Sequence, residues 1–259
     1  MQFEVEITDN DVLEHLQTWF LMRDGAMKEK VVGILGGMGP EATIDLFSRI
    51  VRVTHAKKDE DHLRIIIDNN PKMPSRQDAI LKGTQSPGPA MAETALNLER
   101  AGADFIIIGA NTAHHFYDDV AGAVNIPVLH IIEEAVKETI KVVPGIAEIG
   151  ILATTAAMKV KIYHKSFEKF GLHVLDIPEE IQDRIQKSIF SFKYDGLTSD
   201  NVSMLAKAAE YLINHGAEAL VMGCTEIPII LNGIEFLVPV IDPNEVVARV
   251  AVQYARNEC

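Results

Sequence analysis

The chain has 259 residues, carries 24 Lys+Arg against 37 Asp+Glu for a formal charge of −13, and is 47% hydrophobic. Such a composition excludes a disordered chain, and its acidity argues against nucleic acid or an anionic membrane as partner, since both need a basic face. No apolar run reaches the ~20 residues of a membrane span. Two cysteines, Cys224 and Cys259, are too few to staple a fold of this size, so a soluble protein of a reducing, cytoplasmic setting is expected.

In chain order, residues 1–28 form an acidic, weakly amphipathic segment (Val12, Leu13, Leu16, Trp19, Phe20) and read as an N-terminal extension without a catalytic role. From Lys30 the pattern switches to VVGILG, a buried strand that runs into the loop Gly36-Gly37-Met38-Gly39-Pro40-Glu41-Ala42-Thr43. Five more strands are predicted at LRIIID, DFIIIG, IGILAT, HVLDI and ALVMG. All are short, rich in β-branched residues and apolar on both faces, the mark of parallel strands covered by helices on both sides. Helical spacing over 90–101 and 202–215 ends in each case at a glycine.

Three markers recur in the same order at a nearly constant spacing. Val32-Gly33-Ile34-Leu35 returns as Ile149-Gly150-Ile151-Leu152, and Gly102-Ala103-Asp104 as Gly216-Ala217-Glu218. Ile126-Pro127-Val128-Leu129 returns as Val238-Pro239-Val240-Ile241. The chain therefore reads as two copies of one α/β unit. The predicted fold is a pair of pseudosymmetric, doubly wound parallel-sheet lobes with a site in the cleft between them, because such sheets bind ligands beyond the carboxyl ends of their strands. The expected division is 29–125 plus 239–259 for the first lobe and 126–238 for the second.

Four loops at those strand ends collect the polar chemistry. The first, around Met38, suits a small carboxylate better than a dinucleotide, since GxGxxG is absent. The second is Gly109-Ala110-Asn111-Thr112-Ala113-His114, the third Ala153-Thr154-Thr155, the fourth Gly223-Cys224-Thr225-Glu226. Any one of these reads equally well as a turn or helix cap; four together favour a cleft for a small carboxylate. Cys224 opens a helix-initiating turn, where backbone dipoles are expected to favour its thiolate. The internal repeat places Ala110 opposite it. His114 reads as a site-wall or helix-start residue, with a catalytic role as the less frequent alternative, Arg76 suits a bidentate grip on a carboxylate, and none of the nine histidines forms a metal set.

These motifs together resemble the aspartate/glutamate racemase family, most of all its cofactor-independent aspartate racemase branch. The likeness runs from the Gly36–Thr43 loop through the NNPxxPxR stretch ending at Arg76 to Gly223-Cys224-Thr225-Glu226. It implies an amino-acid racemase, an isomerase that uses neither pyridoxal phosphate nor metal and is commonly a homodimer. In that family two cysteines flank the substrate α-carbon, one removing a proton as thiolate, the other returning one as thiol. Cys224 matches the second-lobe cysteine. Asn111, Thr112, Thr154, Thr155 and Thr225 match substrate-holding positions, with Met38, His114 and Glu226 beside them.

Two positions depart from the pattern. Ala110 stands where the family has its first-lobe cysteine, and Asp183 falls where aspartate racemases carry a lysine, a place where it would repel an acidic substrate. Ala110 admits a racemase disabled by substitution, a natural member pairing Cys224 with His114, or a one-cysteine enzyme such as the arylmalonate decarboxylases of the same superfamily. A racemase for basic or neutral amino acids and a non-catalytic amino-acid binder complete the alternatives.

Overall fold

A computed structural model describes residues 29–258; the expected extension over 1–28 lies outside them. The strands are β1 (Val32–Gly36), β2 (Ile65–Asn69), β3 (Phe105–Ile108), β4 (Val128–Leu129), β5 (Glu148–Leu152), β6 (His173–Val174), β7 (Ala219–Met222) and β8 (Val240–Ile241). They form two parallel four-stranded sheets with the same order, β2-β1-β3-β4 and β6-β5-β7-β8. All six predicted strands are present, and two very short ones close the sheets.

The pleat explains why the strands are apolar on both faces. Val32 and Ile34 of β1, Phe105 and Ile107 of β3, Ile149 and Ile151 of β5, and Ala219 and Val221 of β7 all enter one core shared by both sheets. Their alternate neighbours leave that core. Leu35, Ile106 and Ile108 pack in an outer cluster of the first lobe, and Leu152, Leu220 and Met222 in one of the second. Burying each such Ile or Leu contributes roughly 1.5–3 kcal/mol, so register is strongly specified in both sheets.

Helices cover the faces. In the first half they are α1 (Pro40–Val53), α2 (Arg76–Lys82), α3 (Gly88–Arg100), α4 (Tyr117–Ala121) and α5 (Ile131–Val142). The second half supplies α6 (Thr155–Lys159), α7 (Ile162–Glu168), α8 (Glu179–Asp195), α9 (Ser199–Asn214), α10 (Ile227–Ile230) and α11 (Pro243–Ala255). The glycines predicted to stop α3 and α9, Gly102 and Gly216, both adopt the left-handed conformation, at φ +94° and +102°.

The repeat is visible bond by bond. Gly109 N–H donates to Leu35 O (3.0 Å) and Gly223 N–H to Leu152 O (2.7 Å). Likewise Ile106 N–H donates to Pro127 O and Leu220 N–H to Pro239 O. Those last two bonds correct the expected lobe boundaries. Val128–Leu129 pairs with β3 and Val240–Ile241 with β7, so cuts at 125/126 and 238/239 would take the closing strand from each sheet. Only the helices that follow cross over: α11 lies against α1 and α5. Arg49 of α1 bonds Asp242, the N-cap of α11, at 2.7 Å and Glu245 at 3.0 Å, clasping the two halves.

Candidate active site

The loops after β1, β3, β5 and β7 converge on one small pocket between the lobes. It is lined by Met38, Arg76 and Ala110–Thr112 from the first half and by Thr154, Lys193 and Gly223–Glu226 from the second, with Gln77 at its edge.

The first loop is shaped by close approach. Gly37 sits at φ +90°, and a Cβ there would fall 2.3 Å from the carbonyl carbon of Asn70, so only glycine fits. Thr43 Oγ1 accepts from Gly37 N–H (2.9 Å) and donates to Gly39 O (3.2 Å), tying the turn to the start of α1. This leaves Met38 O free to accept from Arg76 Nη2 at 2.6 Å. Arg76 Nε is buried without a partner among the described residues. Burial pulls the Arg76 pKa below the ordinary arginine value, against the pull of Cys224 and Glu226, and it remains a cation.

In the second loop the backbone leaves β3 into a 3-10 turn over Thr112–Phe116. Asn111 accepts from the hydroxyl of Tyr163 at Oδ1 (3.1 Å), and its buried Nδ2 has no partner among the described residues. Thr112 and Thr154, one from each half, share a hydroxyl hydrogen bond of 3.1 Å across the cleft. Thr154 also caps α6 by accepting from Ala157 N–H (3.3 Å).

Cys224 lies at the carboxyl end of β7, 7% exposed. Its thiol donates to Glu226 Oε2 at 2.8 Å, the Thr225 hydroxyl donates to the same oxygen at 2.9 Å, and Lys193 Nζ binds Oε1 at 2.8 Å. Burial raises the Cys224 pKa far above the usual thiol value, and the Glu226 charge adds to it. Burial also opposes the charges of Glu226 and Lys193, yet each overcomes it through the other: the Glu226 pKa ends below the usual carboxylate value and that of Lys193 above the usual amine value. The expectation of a thiolate at Cys224 is therefore corrected. The resting group is a thiol, because the helix that follows, α10, is a single short turn while a carboxylate sits in direct contact.

Three further expectations change. Asp183 is exposed on α8, off the stripe formed by Gln182, Ile185, Ser188 and Ile189, and does not line the pocket. Lys193 does, one turn beyond buried Ile189. The sequence signal was a lysine at i+4 on an apolar helical face. His114 lies in the helical turn that starts the loop, as one of its two readings had it, but is buried behind the site rather than in its wall. Ile131 N–H donates to its Nε2 (3.2 Å), which leaves Nδ1–H to donate to Ala110 O (3.1 Å), so both nitrogens serve backbone. Thr155 sits outside the pocket, beside Gln186. Lys193, Gln77 and Tyr163 are the site residues that the sequence reading missed. The last two follow no local pattern. Among the described residues no group of His, Cys, Asp and Glu could hold a metal ion, and no helix is long and apolar enough to cross a membrane.

Comparison with known proteins agrees with this fold. The Asp/Glu/hydantoin racemase family model matches residues 35–251. The broad specificity amino-acid racemase RacX of Bacillus subtilis (strain 168) is 27% identical over 232 residues, covering 86% of this chain and 96% of that protein. Among solved structures, the aspartate racemase of Picrophilus torridus is 30% identical with a TM-score of 0.73, covering 87% of this chain and 94% of the other. An aspartate racemase homologue from Pyrococcus horikoshii OT3 is 26% identical with a TM-score of 0.72, covering 88% and 99%.

Proposed function

The chain belongs to the Asp/Glu/hydantoin racemase family, and from that premise we propose that it moves a proton at the α-carbon of an acidic amino acid on one face only, with Cys224 as the group that gives and takes it. The observation that carries this reading is the asymmetry of the pocket: a thiol bonded to a carboxylate on the second-lobe loop, and the methyl group of Ala110 at the equivalent place on the first. A methyl group cannot exchange a proton.

The chemistry follows from the contacts. Glu226 accepts the thiol proton, and the thiolate so formed takes the α-proton of the substrate. The electron pair left at the α-carbon spreads into the substrate carboxylate, toward which Asn111 Nδ2, free among the described residues, and the one proton of the Thr112–Thr154 pair not used between them can donate. Running the steps backward returns a proton to the same face. Glu226 also borders a second groove lined by Glu41, Asp45 and Ile229, a route by which its proton exchanges with water. No cofactor is invoked, and a homodimer remains the expected assembly.

Charge supports the substrate class. Arg76 and Lys193 against Glu226 leave the pocket with one net positive charge, which an amino acid with a side-chain carboxylate balances and a neutral or basic one does not.

Proton NMR in D₂O tests the proposal by following α-proton loss from L- and D-amino acids of acidic, neutral and basic type, for this chain and for Ala110→Cys. The expected result is exchange of one enantiomer of an acidic amino acid without inversion by this chain, and inversion by the variant. Inversion by the unaltered chain would reveal a second acid and overturn the one-face mechanism. Preference for a neutral amino acid would overturn the charge argument.

A further inference from the structure

The arm that carries Arg76 is tied to the first loop by the Arg76–Met38 bond but only lightly to the second half. Helix α2 (Arg76–Lys82) fully buries none of its seven residues: six are half-buried and Lys82 is exposed, and Arg76 and Gln77 line the pocket. The same two side chains also line a groove outside, with Leu81, Thr155, Gln186, Phe190 and Tyr194. They are thus the partition between the pocket and that groove. Across the mouth, α2 meets the second half through two long hydrogen bonds, Gln186 Nε2 to Gln77 Oε1 at 3.3 Å and Lys159 Nζ to Leu81 O at 3.4 Å.

Gln186 is held much more firmly on its other side. Its Oε1 accepts from Thr155 N–H at 2.7 Å. One turn earlier on the same face of α8, Gln182 Nε2 donates to Ala153 O (3.0 Å) and to Thr155 Oγ1 (3.3 Å). The two glutamines therefore fix the residues on either side of Thr154, and the second reaches on to the residue beside Arg76. One end of this chain of amides is anchored in the second half, and the other is a single long hydrogen bond to a half-buried helix.

We propose that Gln186 is a positioning residue, a latch that holds the Arg76 arm across the mouth of the pocket in register with Thr154. Opening of its bond to Gln77 swings α2 outward and admits small molecules to Cys224; closing it brings Arg76 onto a bound carboxylate. The effect on substrate rests on the function proposed above, whereas the effect on access does not.

Alkylation of Cys224 by iodoacetamide at fixed alkaline pH, read by peptide mass spectrometry so that Cys259 is counted apart, reports opening in the absence of substrate. Gln186→Leu breaks the latch and should raise the Cys224 rate about fivefold, the weight of one ordinary net hydrogen bond. Gln77→Leu breaks the same bond from the other side while sparing Thr155, and should accelerate labelling to a similar degree. Gln186→Glu keeps the acceptor for Thr155 and lets a rotated Gln77 amide donate to it, so it should label at the parental rate. In the exchange assay Gln186→Leu should raise KM for the acidic amino acid several-fold with kcat little changed. Parental labelling rates in both leucine variants would overturn the latch. Faster labelling in a chain that exchanges no amino acid would leave the latch standing and overturn the proposed function instead.

Discussion

Acidification should destabilise this protein through a histidine buried behind the pocket. Protonating Nε2 of His114 would aim a new N–H at the Ile131 amide that now donates to it, inside the core and beside His130, whose ring centroid is 4.8 Å away. Burial first, and His130 second, depress its pKa from 6.5 to about 3. A depressed histidine stays neutral in the folded state while the unfolded chain takes up a proton. Its stabilising contribution is therefore complete above about pH 6.5 and is lost as the pH falls from there toward 3. Between pH 7 and pH 5 that loss amounts to about 2 kcal/mol. Urea unfolding at the two pH values, on the parent and on His114→Asn, isolates the effect. The variant keeps a donor for Ala110 O but loses the acceptor for Ile131 N–H, so it should start about 1–3 kcal/mol less stable at pH 7. Its further loss on going to pH 5 should be smaller than the parent's by about 2 kcal/mol. Equal pH slopes in the two proteins would refute the neutral, doubly bonded assignment of His114.

Other consequences follow from the same contacts. Glu226→Gln removes the charge that, after burial, contributes most to raising the Cys224 pKa; the midpoint of the pH–alkylation profile should move down, though not to that of an exposed thiol, and an unmoved midpoint would deny the coupling. Gly223→Ala would place a methyl 2.8 Å from the Tyr163 ring and 2.9 Å from the Ala153 Cβ. The variant should lose about 1–3 kcal/mol in urea unfolding and weaken substrate binding by pushing the Tyr163 hydroxyl off Asn111, whereas parental stability would mean that Tyr163 yields freely.

The parts of the fold legible in the sequence are those where one local pattern has one structural cause. The strands were readable because β1, β3, β5 and β7 are buried on both faces. β4 and β8 span two residues each, too few to show a period, although their Pro-Val motifs had been found as repeats. The loops at the strand ends could be located because parallel sheets put their chemistry there. Direction and partnership were not legible. Asp183 and Lys193 lie on one helix, and only the burial of Gln182, Ile185 and Ile189 decides which of them faces the pocket. His114 follows Asn111-Thr112 closely, but the 3-10 turn carries its ring backward to Ala110 O. The state of Cys224 depended on Glu226 curling back by two residues onto the sulfur, a contact that Gly-Cys-Thr-Glu allows but does not declare.

Pseudosymmetry sharpens the meaning of Ala110. The bonds from Gly109 to Leu35 and from Gly223 to Leu152 put Ala110 and Cys224 at the same point beyond equivalent strands. In both lobes a residue a little further along the turn reaches back to that point, but with different chemistry. In the first lobe His114 donates to the Ala110 carbonyl, a bond that fixes backbone and leaves no proton to spare at neutral pH. In the second, Glu226 accepts from the Cys224 side chain itself, and Lys193 balances its charge. Position for position after the strand, the counterpart of Glu226 is Thr112, whose hydroxyl is already engaged with Thr154. Placing a sulfur at position 110 would thus add a proton carrier without the carboxylate that contacts Cys224. Under the proposed function the first lobe would then supply shape and carboxylate grip and the second the acid and base, so that the face of proton transfer follows from this difference between the two loops.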